Sequence, residues 1–113
     1  MSVRTSAKSP ATFNRMTTGT YTGDGAATQA IAGVGFTPRF VIIYRQDVVN
    51  KTPGWKIDQD GVFCGLLNTD TWIYADDMII SLDVDGFTVG DGTGYGLNAF
   101  NVVTIVYTYI CFG

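Results

Sequence analysis

The chain has 113 residues and a formal net charge of −3, with 46% hydrophobic and 15% charged residues. This length fits one globular domain, and the apolar content excludes an intrinsically disordered chain. A chain with a net negative charge is a poor electrostatic match for nucleic-acid phosphates. The charged fraction is well below the ~25% of ordinary soluble domains, which indicates that other protein covers much of the surface.

All ten acidic residues are Asp and none is Glu, while glycine reaches 14 residues. Asp and Gly are unfavourable inside helices and favourable in turns. The composition therefore predicts strands joined by tight turns, with no long helix.

The N-terminal residues 1–17 are polar, rich in Ser and Thr, and carry three bases with no acid. They show no strand or helix periodicity, and about 17 extended residues reach ~55 Å, enough to cross a neighbouring subunit. We predict an extended docking arm over 1–17 and a β domain over 18–113. The residues of the arm that we expect to bind a partner are Arg4, Lys8, Phe13 and Arg15. The three bases are expected to contact an acidic surface, and Phe13 is expected to act as an apolar anchor.

The first predicted strands, 19–22 and 28–32, flank a Gly-Asp-Gly turn and are expected to pair as a hairpin. Residues 39–45 form a nearly continuous apolar run, which is typical of a central strand covered on both faces. Short strands are then predicted at 55–57, 62–64 and 71–74, the first two joined by a turn at 58–61.

A second hairpin is predicted where 78–82 and 87–89 flank the Asp-Gly pair at 85–86. The closing strand, 101–112, alternates so that one face carries Val103, Ile105, Tyr107, Tyr109 and Cys111. Seven or eight short strands separated by turns predict an all-β fold, as an antiparallel β-sandwich or a jelly-roll-like arrangement.

The residues for catalysis and metal binding are scarce, so we predict no enzyme. The chain has no His, the commonest general base, and Cys64 and Cys111 have no evident activating partner. Close Asp pairs fall at predicted turns, where Asp caps its own backbone, and they lack the further ligands of a calcium loop. We expect no catalytic residue, metal or cofactor, and buried cysteines are favoured over a disulfide.

Two features near predicted loops are suited to contact with a partner. Alternate glycines in 90–96 remove side chains from one side of the segment, which suits a flexible turn or a close approach by another chain. Aromatic rings near loops suit protein interfaces and sugar stacking as well as core packing. The candidate interface or ligand loops carry Trp55, Trp72, Tyr74, Gly92, Gly94 and Tyr95.

Residues 19–25 read GTYTGDG and residues 35–43 read GFTPRFVII. This pair resembles a segment of bacteriophage structural proteins in which a GxYxGxG hairpin precedes GFxPxxVxI. The GFTV at 86–89 and the YTYICF at 107–112 are similar to the close of the same module. The resemblance covers about residues 18–113, with the middle unmatched. It implies a virion β-sandwich module of the capsid decoration or tail-fibre-tip type, commonly trimeric.

The leading hypothesis is a capsid decoration (cement) protein that binds the major capsid protein on the head surface and stabilises it by burying apolar area. The alternative is a tail-fibre or receptor-binding module that recognises a host surface glycan or protein. Another small head or tail component is a third reading. We expect a homotrimer that is made in the host cytoplasm, resides in the virion and binds neither nucleic acid nor membrane, since no signal peptide or membrane-spanning run is evident.

Overall fold

The computed structural model describes residues 14–45, 53–58, 64–68, 71–75, 78–91 and 100–113. Within these residues the chain is all-β, as the sequence predicts, and forms nine strands. Their bounds are β1 Met16–Thr22, β2 Thr28–Ile31, β3 Phe40–Arg45, β4 Gly54–Ile57, β5 Cys64–Asn68, β6 Thr71–Ala75, β7 Ile79–Asp83, β8 Gly86–Gly90 and β9 Val106–Phe112.

The strands form two antiparallel sheets that pack on each other, so the predicted β-sandwich is confirmed. The large sheet has the strand order β1-β9-β3-β4-β5-β6, and the small sheet has the order β2-β8-β7. β3 lies between β9 and β4, which confirms its predicted central position. Because β1 begins at Met16, the last two residues assigned to the arm belong to the large sheet, while residues 1–13 lie outside the described residues.

The predicted hairpin between 19–22 and 28–32 is wrong. β1 pairs with β9 and β2 pairs with β8, so the chain passes from the large sheet to the small sheet between them. Local turn signals favour a hairpin, but they carry no information about a partner strand at the far end of the chain. The Gly-Asp-Gly segment is therefore a crossover between the sheets.

This crossover is held by the residues that precede β9. The Gly23 N–H donates to the Ile105 carbonyl at 2.8 Å, and the Gly25 N–H donates to the Asn101 carbonyl at 3.0 Å. A side chain at position 23 would overlap the backbone carbonyl of Val102. Glycine is needed at position 23 because two backbones approach there closely.

The closing strand is shorter than predicted, because β9 begins at Val106 instead of residue 101. Thr104 has a φ of 66° and the Ile105 N–H donates to the Val102 carbonyl, which makes a turn before the strand. The predicted alternation holds within β9 itself, where Tyr107, Tyr109 and Cys111 are buried. Val103 lies in the turn and is 57% exposed.

Two further antiparallel pairs join strands that are neighbours along the chain. β7 pairs with β8, which confirms the second predicted hairpin, and β4 pairs with β5, which spans Cys64–Asn68 instead of the predicted 62–64. Asp85 turns the first of them with a φ of 68°. Its carboxylate accepts the N–H groups of Gly33 at 3.0 Å and Gly35 at 2.6 Å. The β7–β8 hairpin is thereby tied to the segment that leads into β3.

Aromatic rings dominate the core between the sheets. The Tyr21 ring stacks on Tyr107 with centroids 5.1 Å apart, and Phe87 of the small sheet meets Tyr109 of the large sheet edge-on at 5.2 Å. The Tyr21 hydroxyl donates to the Phe100 carbonyl at 2.7 Å, and burial raises the pKa of that hydroxyl. The tyrosines therefore serve packing and internal hydrogen bonding in their neutral form.

Cys111 belongs to the same core and is a free, fully buried thiol. Burial raises the pKa of this thiol to about 12, so it stays protonated at neutral pH. A buried neutral thiol is a poor nucleophile and acts as a small apolar side chain. The predicted free, buried cysteine is thus confirmed at position 111.

Candidate functional site

The large sheet has one face turned toward the small sheet and one turned away from it. Along β1, β9, β3 and β4 the residues facing the small sheet are mostly buried, and the alternate residues are half-buried or exposed. We call the second set the outer face. Its residues on these four strands are Met16, Thr18, Thr20, Thr22, Phe40, Ile42, Tyr44, Trp55, Ile57, Val106, Thr108, Ile110 and Phe112.

None of these outer-face residues is charged, and most of those that are not Thr are large and apolar. Met16 is 62% exposed and Tyr44 is 40% exposed. Phe40 and Phe112 stack with ring centroids 5.7 Å apart. Antiparallel sheets with one solvated face normally alternate apolar residues inward with polar and charged residues outward. The outer face departs from this pattern, because its side chains on these four strands are uncharged and largely apolar.

The described basic residues all lie on the opposite side of this sheet. Arg15, Arg39, Arg45 and Lys56 share the inward alternation of the buried strand residues, and Lys56 is 2% exposed. Arg15 places its guanidinium 4.8 Å from the Phe36 ring centre, so it packs within its own chain. Arg39 and Asp58 form an ion pair with a nitrogen–oxygen distance of 3.7 Å. Because both side chains are exposed, this pair contributes little to the stability of the fold.

The described acidic residues also avoid the outer face. They lie in the turns, at the ends of the large-sheet strands and on the small sheet, and they are Asp24, Asp58, Asp83, Asp85 and Asp91. The molecule as a whole carries −3. The outer face is therefore an uncharged patch on an acidic protein.

Trp55 extends the outer face across β5. A side chain at Gly65 would overlap the Trp55 indole ring, so the glycine lets that ring lie directly on the backbone of β5. In the pairing register Trp55 is opposite Gly65, and Gly65 is opposite Tyr74 of β6. The two aromatic positions thus fall in one row across three neighbouring strands.

A separate cleft of about 270 Å³ opens between the sheets, beside the Arg39–Asp58 pair. It lies just under the ~300–1,000 Å³ range of small-molecule sites. Its mixed polar and apolar walls show no convergent set of reactive groups. The lining residues are Thr37, Pro38, Arg39, Lys56, Asp58, Ser81 and Leu82.

The sequence-predicted contact residues are only partly brought together. Trp55 lies within β4, and Trp72 and Tyr74 lie within β6, in agreement with the short strands predicted at 55–57 and 71–74. Their role in contact with a partner stays a prediction. The predicted residues that lie outside the described part of the chain are Arg4, Lys8, Phe13, Gly92, Gly94 and Tyr95.

Sequence reasoning missed the outer face itself, above all Phe40, Ile42, Ile110 and Phe112. The available signal was the placement of charge along 39–45, where both arginines share the alternation of Val41 and Ile43. Charges on the buried side and apolar residues on the other side indicate a second covered face. An apolar run alone does not separate this case from an ordinary central strand.

In the described ranges no three His, Cys, Asp or Glu side chains gather into a possible metal site. The same ranges contain no helix long and apolar enough to cross a membrane. No protein-family model, curated protein or solved structure matches the chain.

Proposed function

We propose that this chain is a bacteriophage virion structural protein that acts as a capsid decoration (cement) protein. The observation that carries the proposal is the outer face, an uncharged surface with large apolar side chains on an acidic domain. Such a surface is suited to binding other protein. The GTYTGDG and GFTPRFVII segments, which resemble phage structural proteins, add support from the sequence.

The work proposed for the protein is mechanical. Burying about 400 Å² of the outer face, most of it apolar, contributes at most roughly 10 kcal/mol at ~25 cal/mol per Å², before the ~4–15 kcal/mol that association costs. A single contact is therefore weak. Many copies on one shell act together, and stabilisation of a capsid needs only such repeated weak contacts.

The proposed partner beyond the chain itself is the major capsid protein, reached by the basic N-terminal residues 1–13 together with the domain. An acidic domain with a basic terminal segment has two electrostatically different surfaces. The basic segment is suited to an acidic region of the capsid subunit, because opposite charges steer encounter and fix orientation.

The test is to locate the protein on purified particles from cells that carry its gene, with antibody labelling and electron microscopy. We expect label over the whole head surface and a copy number per particle in the hundreds, since decoration follows the capsid lattice. Label confined to the tail tip would replace the proposal with the receptor-binding alternative. Particles without the protein would contradict both functions.

A further inference from the structure

We propose that the outer face is the contact surface for a second copy of this chain, with the two large sheets stacked face to face about a twofold axis. The inference rests on the proposed function, because the outer face is the observation that carries that function and the inference names the partner that binds there. A twofold contact places the same patch on both sides, so the patch must be complementary to itself.

Charge distribution favours a second copy as the occupant. Each copy carries −3, and the described carboxylates lie in the turns, at strand ends and on the small sheet. Two copies that meet through those surfaces bring like charges together, which disfavours association. The outer face brings no charge to the contact from β1, β9, β3 or β4, and a charged partner would lose water there without gaining an ion pair.

The size of the face fits a weak pair. The four strands whose side chains define it, spaced ~4.8 Å apart, give a width of about 19 Å, and about six residues per strand at ~3.3 Å give a length of about 20 Å. One face thus covers roughly 400 Å² and a pair buries roughly 800 Å², which lies in the range of weak, transient contacts. We therefore expect the dimer to form only at high protein concentration.

The symmetry of the contact points to two copies. Twofold dimers are by far the commonest closed assemblies of soluble proteins, and they need only one self-complementary patch on each copy. The expected assembly is a dimer, in contrast to the trimer implied by the phage resemblance.

Analytical ultracentrifugation of the purified full chain over a concentration series tests the proposal. The wild type is expected to pass from monomer to dimer within the series. Ile42→Lys introduces a charge near the centre of the face, where Ile42 is paired with Ile110, and is expected to raise the dissociation constant at least tenfold. The outward position allows the lysine to reach water in the monomer, so the fold is retained.

Two further variants make the result decisive. Thr108→Lys places the same charge on β9 within the face and is expected to weaken the dimer as Ile42→Lys does. Val84→Lys adds the charge on the β7–β8 turn, at a side chain that is 88% exposed, and is expected to leave the association within about twofold of wild type. Near-ultraviolet circular dichroism checks that each variant is folded.

A wild type that stays monomeric up to about 1 mM would overturn the inference, because a weaker contact contributes less than about 4 kcal/mol. A trimer would overturn it as well, and so would lysine variants that associate as tightly as wild type. Head labelling combined with a monomer in solution contradicts the twofold contact and leaves the proposed function intact. A dimer that is absent from particles contradicts the function and leaves the contact intact.

Discussion

Replacing Phe87 by alanine is expected to lower the free energy of unfolding by about 3–5 kcal/mol. Phe87 is fully buried on β8, and its ring meets Tyr21 at 6.0 Å and Tyr109 at 5.2 Å across the two sheets. Truncation removes the ring that joins the sheets and leaves a cavity among rigid aromatic neighbours. Against a typical total of ~5–15 kcal/mol, the variant is left marginally stable.

The matched control is Phe112→Ala, the same truncation on the outer face. Phe112 is half-buried and stacks on Phe40 on the side of the large sheet away from the small sheet, so its truncation opens no cavity between the sheets and is expected to cost less than about 2 kcal/mol in the monomer. Urea unfolding of dilute protein measures both free energies. An equal loss of unfolding free energy in the two variants would show that the outer face belongs to the folded core. That result would contradict its assignment as a contact surface.

Replacing Asn101 by aspartate is expected to destabilise the crossover between the sheets, and more so at neutral than at acidic pH. Asn101 is 1% exposed. Its amide nitrogen donates to the Asp24 carboxylate at 2.8 Å and to the Ala26 carbonyl at 3.0 Å, and its oxygen accepts the Asp24 N–H at 3.1 Å. In the variant, a second carboxylate takes the place of the Asn101 amide nitrogen, so the attraction to the Asp24 carboxylate and the Ala26 carbonyl becomes repulsion.

The direction of the pH dependence follows from Asp24. The Ala26 N–H, followed by the Asn101 amide, lowers the pKa of the Asp24 carboxyl, so in wild type its contribution is present above its ordinary pKa and is lost as pH falls through the lowered value. In the variant, two adjacent carboxylates hold one proton more tightly, which raises one pKa. The stability gap to wild type should therefore narrow as pH falls.

Melting temperatures measured between about pH 3 and pH 7 test this expectation. Asn101→Ala removes the same hydrogen bonds without adding charge and is expected to cost about 2–4 kcal/mol across the neutral range. The double variant Asp24→Asn with Asn101→Asp restores one donor opposite one carboxylate and is expected to recover part of the loss. A gap between Asn101→Asp and wild type that is constant with pH would contradict the assigned hydrogen bonds.

The fold class and most strands could be predicted from the sequence because they depend on local signals. The Asp85-Gly86 pair, with Asp85 at φ 68°, marks its hairpin by residue type alone. The pairing of β1 with β9 could not be predicted in this way. It depends on how well Tyr21 packs on Tyr107 and on the close approach of Gly23 to Val102, which are contacts between distant parts of the chain.

The candidate site was harder to predict for a different physical reason. Hydrophobic patterning reports that a strand face is covered, but it does not report whether the cover is the same chain or another one. The run around Ile42 therefore indicated a strand buried on both sides, whereas only the side with Val41 and Ile43 faces the small sheet. The distinction needed the burial of alternate side chains, which shows the side of the strand that the small sheet covers.

The central claim is that the outer face of the large sheet is a protein contact surface, and hydroxyl-radical footprinting tests it most directly. Oxidation of Met16 and Tyr44, which are exposed in the single chain, is compared between dilute protein, concentrated protein and purified particles. We predict strong protection of both residues in the concentrated and particle-bound states, with Val84 oxidised equally in all three. Equal oxidation of Met16 and Tyr44 in every state would contradict the claim.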